Sequence, residues 1–319
     1  MSTICVCIVT FNSSADIADC LAAVGRQSIP IQSIIIVDNA STDQTIEVVK
    51  ACKATSLIPI ILIENQINNG FAGGQNQAIG ETNSDYVLVL NPDVRLQVDY
   101  IERLIHTLEI NECAGSATGQ LVFSHHPGMI DSTGLIMNFL RIAHDRGAGE
   151  PVDNWGETGE VFGVSGAASL YSRKLISDIS IDGEFFDEQF FAYKEDVDVA
   201  WRAHRLGWKA YYNPEAKAMH ARGWKKGSRG EIPLFVRQHS YMNRFFTLIK
   251  NESFGIHLVL RVPAIFFYEI LKIGYILLRE PELLKCMPVF WGRIPNMMFK
   301  RTLIQKQAKS RNEKKALQS

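Results

Sequence analysis

The chain opens on an apolar run, Ile4–Thr10, that ends in polar residues and reads as a strand buried on both faces. Helical periodicity follows over residues 15–24, then a second buried strand over 33–37, closed by Asp38 and Asn39. Residues 42–53 form the next helix, with Ser41 or Thr42 as its N-cap. Residues 58–64 read as a third strand, 74–82 as a short helix and Tyr86–Leu90 as a fourth strand. Strands alternating with helices predict an α/β fold with a mostly parallel sheet and right-handed crossovers. Ligands of such sheets bind beyond the carboxyl ends of the strands. Polar residues mark those ends here: Thr10-Phe11-Asn12, Asp38-Asn39 and Asn91-Pro92-Asp93.

After Asp99 the alternation loosens, with further strands over 163–171 and 210–220. Between them lies an aromatic and acidic segment, residues 185–208. It places Glu195, Asp196 and Asp198 at the head of a helix whose apolar stripe is Val199, Ala203 and Leu206, closed by Gly207. Acids in a first turn suit the helix dipole, and that alone is a sufficient structural reason for them. Beside Phe190, Phe191 and Tyr193, however, a carboxylate is expected to lose solvation, rise in pKa and become a better proton acceptor.

From residue 256 the composition changes. Residues 256–278 are strongly apolar but interrupted by Arg261, Pro263, Glu269 and Lys272. A spanning helix needs about 20 consecutive, mainly apolar residues. The pattern therefore predicts an interfacial or partly inserted helical hairpin, with a helical pair packed on the catalytic domain as the alternative. The expected division is a catalytic domain over 1–250 and a helical, membrane-associating region over 251–319, removable without loss of ligand binding. The tail holds Arg293, Lys300, Arg301, Lys306, Lys309, Arg311, Lys314 and Lys315 against Glu313, a contact for anionic lipid.

Composition is that of an ordinary globular protein, 46% apolar and 21% charged among 319 residues. A net charge of −1 gives no reason to expect nucleic acid as a partner. Six scattered cysteines form no Cys-x-x-Cys pair, and Cys5 and Cys7 share one face of a core strand. With no basic leader before the first strand, the expectation is a cytoplasmic protein, peripheral at the inner face of the membrane.

Several residues carry chemistry of their own. Asp38, at a buried strand end, can accept hydrogen bonds from a nucleoside, or merely cap the next helix. The glycine-rich stretch Asn69-Gly70-Phe71-Ala72-Gly73-Gly74 leads into a helix, where glycines allow close backbone approach and a helix N-terminus favours anions. It is not a dinucleotide fingerprint. Asp93, fixed after Pro92, is a single-carboxylate anchor for a hard cation such as Mg²⁺, which takes its other oxygens from phosphate and water.

Taken in order, these residues resemble the inverting family 2 glycosyltransferases with the GT-A fold. The resemblance is carried by Ile8-Val9-Thr10-Phe11-Asn12, Val37-Asp38-Asn39-Ala40-Ser41-Thr42, Asn69 to Gly74, Leu90-Asn91-Pro92-Asp93 and Tyr193-Lys194-Glu195-Asp196-Val197-Asp198. The Gly-Phe-Ala-Gly-Gly and Asn-Pro-Asp forms are similar to those of bacterial rhamnosyltransferases of polysaccharide assembly. The resemblance implies that Thr10, Asn12, Asp38, Asn69, Gly70 and Asn91 bind a nucleotide-sugar donor. It implies Mg²⁺ or Mn²⁺ at Asp93, completed by His220. Asn91 stands where the general pattern has an acid, and can orient a sugar hydroxyl. Asp196 matches the general base, supported by Glu195. Arg222, with Lys225, Lys226 and Arg229, forms a basic loop suited to a diphosphate. The implied acceptor is a saccharide, free or linked to a polyprenyl diphosphate.

Overall fold

A computed structural model of the chain describes residues 2–221, 232–253 and 256–316. The elements run β1 (Ile4–Thr10), α1 (Ile17–Gly25), β2 (Ser33–Asp38), α2 (Thr45–Thr55), β3 (Ile60–Glu64), α3 (Gly70–Gly80), β4 (Tyr86–Leu90), β5 (Val94–Leu96) and α4 (Tyr100–Ile110). They continue through β6 (Ala114–Phe123), β7 (His126–Ser132), β8 (Leu135–Met137), β9 (Ala143–Asp145), β10 (Gly159–Val161), β11 (Ala168–Ser172) and α5 (Arg173–Ile179). Last come α6 (Glu195–Arg205), β12 (Lys209–His220), α7 (Leu234–Asn251), α8 (Ile256–Arg279) and α9 (Met287–Ala316).

The main sheet runs β10-β12-β6-β11-β4-β1-β2-β3 among the described residues. Strands β3, β2, β1 and β4 are parallel, as their near-continuous apolar runs require when both faces are covered by helices. One core lies under α1, α2 and α4, the other under α3, α5 and α6. Cys5, Cys7 and Cys20 are buried free thiols. Beyond β4 the sheet is mixed: β11 enters antiparallel between β4 and β6, and β12 returns parallel to β6. The loosened alternation after Asp99 thus marks a change from parallel to mixed pairing.

The C-terminal helices are tied to the α/β half by buried polar contacts. Lys250 and Asn251, on either side of the expected boundary, both bind Asp198 of α6, at 2.8 and 2.7 Å. Lys300 of α9 reaches Glu184 and Asp187 at 2.8 and 2.7 Å, and Arg301 holds the carbonyls of Ile249 and Glu252. Arg293 donates to the Gln189 carbonyl and Arg311 pairs with Asp178. Four basic residues of the tail therefore point into the protein, Lys300 onto the buried Asp187, Arg293 and Arg301 onto backbone carbonyls and Arg311 onto Asp178. Among the described residues, no helix is long and apolar enough to cross a membrane.

Candidate active site

Pairing of β12 with β5 sets His220 opposite Val94, and the Ala221 amide donates to the Asp93 carbonyl at 2.9 Å. Sheet register therefore brings Asp93 and His220 together across more than a hundred residues of chain. His220 Nε2 lies 3.3 Å from Asp93 Oδ1, and its Nδ1–H donates to Asp131 Oδ2 at 2.7 Å. Asp131, on β7, is buried and was invisible to motif reading; only the β6–β7 hairpin carries it to the imidazole. Burial alone would favour neutral imidazole, but the two carboxylates outweigh it and push His220 up to about 9. Burial likewise opposes ionisation of Asp93, and His220 overcomes it, holding Asp93 below its ordinary value.

Asp93 and His220 could hold a divalent cation once His220 gives up its proton, since only neutral imidazole is a ligand. The hydrogen bond to Asp131 fixes the ring so that Nε2 faces Asp93, the carboxylate–histidine pattern that orients metal ligands. Among the described residues no group of three or more His, Cys, Asp or Glu side chains suits a metal. The remaining oxygens are left to phosphate and water, as Mg²⁺ prefers.

Glu195 and Asp196 open α6, facing the same cavity. Its volume is about 780 Å³, and its lining includes Asn91, Asp93 and His220 as well as Glu195 and Asp196 with Gly166 and Lys194. Asp196 accepts from the Gly166 amide at 3.2 Å and the Val197 amide at 2.8 Å. Burial raises its pKa despite nearby Lys194. Glu195 is buried too, and burial and then Asp196 raise its pKa. Its Oε2 has no hydrogen-bond partner among the described residues. A buried carboxyl oxygen without a partner favours the protonated state of Glu195 beside an ionised Asp196.

The source of this burial differs from the aromatic wall expected. Phe190 packs on Phe246, and Phe191 on Phe235 and His239, all of α7. Tyr193 is exposed. Phe162, Val164, Tyr171, Val199 and Trp208 are among the apolar residues that line a small void with Asp196. Asp198 serves packing: it is fully buried and paired with Arg202 and Lys250 at 2.9 and 2.8 Å.

The turn before the acids is strained. Phe191 sits at φ 62°, ψ −65°, a rare γ-turn closed by the Ala192 amide on the Phe190 carbonyl at 2.7 Å. Tyr193 and Lys194 follow at φ 72° and 71°. Such conformations cost about 1–3 kcal/mol each and persist where surroundings over-determine them.

The other expected donor residues form a second cluster. Thr10 donates to Asp38 at 2.8 Å, and Asp38 also accepts from the Ser41 amide and hydroxyl at 2.8 and 2.6 Å. Asp38 thus organises its own loop as well as closing β2. Asn12 Oδ1 accepts from the Thr42 amide at 2.8 Å, joining the ends of β1 and β2 into one rim. Helix α3 begins four residues earlier than its pattern predicts, with Asn69 at its N-cap making no side-chain cap bond. A Cβ on Gly70, at φ +74°, would lie 2.4 Å from the Phe191 carbonyl oxygen, and the Ala72 amide donates to that oxygen at 3.1 Å. The close approach that Gly70 permits is to the acidic segment's turn, a packing role that the pattern did not predict. Arg222, Lys225, Lys226 and Arg229 lie outside the described residues.

The sheet, parallel through β3, β2, β1 and β4 and mixed beyond, with helices on both faces, is that of the GT-A fold. Residues 5–179 match the family Glycosyl transferase family 2, and the chain belongs to it. It is similar to the poly-beta-1,6-N-acetyl-D-glucosamine synthases of Staphylococcus epidermidis and Staphylococcus aureus (strain COL), 23% and 25% identical, over 65% of this chain and 47% of theirs. The chain thus spans about half the length of these relatives. GalNAc-T7, crystallised with UDP, GalNAc and Mn²⁺, superposes with a TM-score of 0.60 at 11% identity, over 78% of this chain and 49% of that one. The mannosyltransferase PcManGT of Pyrobaculum calidifontis, in complex with GDP-Man and Mn²⁺, gives 0.56 at 15% identity, over 98% and 87%. At such identities the likeness establishes the fold.

Proposed function

We propose that the protein transfers a sugar from a nucleotide-sugar donor to a saccharide or lipid-linked saccharide acceptor, with inversion, in cell-surface polysaccharide synthesis. The observation that carries this is the single cavity joining Asn91, Asp93 and His220 to Glu195 and Asp196. Asp196, partly exposed to that cavity and raised in pKa, takes the proton of the attacking hydroxyl. Glu195, protonated beneath it, carries no charge that would repel the ionised base. Asp93 and His220 would hold Mg²⁺ or Mn²⁺, which when bound offsets the charge of the departing diphosphate. Thr10, Asn12 and Asp38 shape the nucleoside end.

Rhamnose from a dTDP donor is the favoured sugar, on the Asn-Pro-Asp and Gly-Phe-Ala-Gly-Gly forms. N-acetylglucosamine is the second reading, on the names of the staphylococcal relatives. A thermal-shift panel of dTDP-rhamnose, UDP-GlcNAc, UDP-GalNAc and GDP-mannose with Mn²⁺ separates them, because a true donor stabilises the fold by mass action. Stabilisation by dTDP-rhamnose alone, and nucleoside diphosphate release on adding acceptor, is the expected result. Full activity in excess chelator would remove the cation from the reading.

Association with a membrane surface belongs to the same proposal. The charges that interrupt α8 face inward: Glu269 pairs with Arg244, and Lys272 lies 5.0 Å from the Tyr241 ring centre. The apolar residues face out, with Phe266, Phe267, Leu271 and Leu278 at 64%, 68%, 65% and 83% exposure. A helix with its polar face on the protein and its apolar face outside suits an acyl boundary. Sedimentation with anionic vesicles tests it, and failure to bind any vesicle would reject it.

A further inference from the structure

Asn243 lies on α7, beyond the stretch that matches the family, and its side chain is wholly buried. It is set back from the cavity, whose α7 wall includes Arg237, Ser240, Tyr241, Arg244 and Thr247. Its Nδ2 lies 2.9 Å from the Phe190 carbonyl oxygen, 3.0 Å from that of Ala192 and 2.7 Å from that of Tyr193. Three carbonyls within four consecutive residues converge on one amide group.

Carbonyl dipoles pointed at one spot repel, and only a donor placed there relieves them. The fourth carbonyl of the turn, that of Phe191, accepts from the Ala72 amide, and that of Lys194 from the Asp198 amide. The Phe190 carbonyl also accepts from the Ala192 amide, so the two hydrogens of Asn243 Nδ2 suffice for those of Ala192 and Tyr193, and every carbonyl of the strained turn is accounted for. Asn243 Oδ1 has no partner among the described residues, so the side chain acts here as a donor alone. The turn it holds ends where Glu195 and Asp196 begin.

We propose that Asn243 is a positioning residue for sugar transfer: its amide pins the positive-φ turn from Phe190 to Lys194 and so fixes the start of α6 and the Asp196 carboxylate against the cavity. The proposal rests on Asp196 being the base. Misplacement of a reacting group by about 1 Å costs on the order of 10²-fold in rate, while binding at the far nucleoside rim is unaffected.

The test uses the full chain and two variants. Asn243→Asp keeps the shape but turns the donor into an acceptor, and Asn243→Ala removes it. Hydrogen exchange followed by mass spectrometry needs no substrate. Amides of residues 190–197 should exchange about tenfold or more faster in both variants, with α1 and α2 unchanged. With the nucleotide sugar that the thermal-shift panel selects, kcat should fall about 10–100-fold while donor KM stays within about twofold. Unchanged exchange over 190–197, unchanged kcat despite faster exchange, or equal acceleration throughout the chain would each overturn the proposal. Should Asp196→Asn turn over like wild type while Asn243→Asp still loses kcat, the base assignment fails and the pin on the turn stands.

Discussion

The two pairs of site residues that line the cavity are held by different physics. Asp93 and His220 are placed by backbone: adjacent strands pair, a loop amide closes on Asp93, and side chains follow from register. Glu195 and Asp196 are placed by side chains from far along the chain. Asp187 and Asp198 flank the acidic turn, and Lys250, Arg202 and Lys300 bind them in a buried network. A sheet can locate a carboxylate wherever the ladder runs. A turn in unfavourable backbone needs outside help, and α7 and α9 supply it.

The largest effect should come at the acidic pair. Gly166 and Val197 donate to different oxygens of Asp196, so Asp196→Asn keeps the shape and one of the two hydrogen bonds but removes proton acceptance. Turnover should drop about 10²–10⁴-fold, with donor affinity largely kept. Near wild-type turnover would shift the base to Glu195.

Breaking the network tests whether the acidic pair depends on the helices. Lys250→Met leaves Asp187 and Asp198 buried with one cation fewer, a change worth about 3–5 kcal/mol of stability. Truncation after Lys250 removes Asn251, Lys300 and Arg301 as well, so donor binding should fail with it, contrary to a separable tail. A truncated protein that melts and binds donor like the full chain would refute this.

The sheet-held pair should respond more mildly to a change one shell out. Asp131→Asn weakens the acceptor that orients His220 and should lower Mn²⁺ affinity about 10–100-fold, read by calorimetry, without changing the melting of the metal-free protein by more than a few degrees.

The smallest and most graded test is pH. Burial opposes ionisation of Asp187, but Lys250 and Lys300 hold it well below the ordinary range; burial opposes that of Asp198, but Lys250 and Arg202 hold it low too. Such depressed carboxyls contribute their full stability above about pH 4 and lose it as pH falls toward their folded values. The melting temperature should therefore decline below about pH 4. Asp196 has the opposite sign: burial raises it, so turnover should fall with acidification at a pH above the ordinary carboxylate range of about 4. Coincidence of the two profiles would show that the acid limb of activity is unfolding, not protonation of the base.

The amino-acid pattern alone determined the parallel half of the sheet, its polar strand ends and the helix that begins at Glu195. These follow from local periodicity and from residues that stop a strand or start a helix, properties of a few consecutive positions. Tertiary structure alone decided that Asp131 backs His220, that Asp198 is a packing residue while its neighbour Asp196 faces the cavity, that Gly70 makes room for Phe191, and that Lys250, Lys300 and Asn243 hold the acidic turn. Each of those depends on groups 30 to more than 100 residues apart meeting in a dry interior, where a charge or a carbonyl must find a partner whatever its distance along the chain.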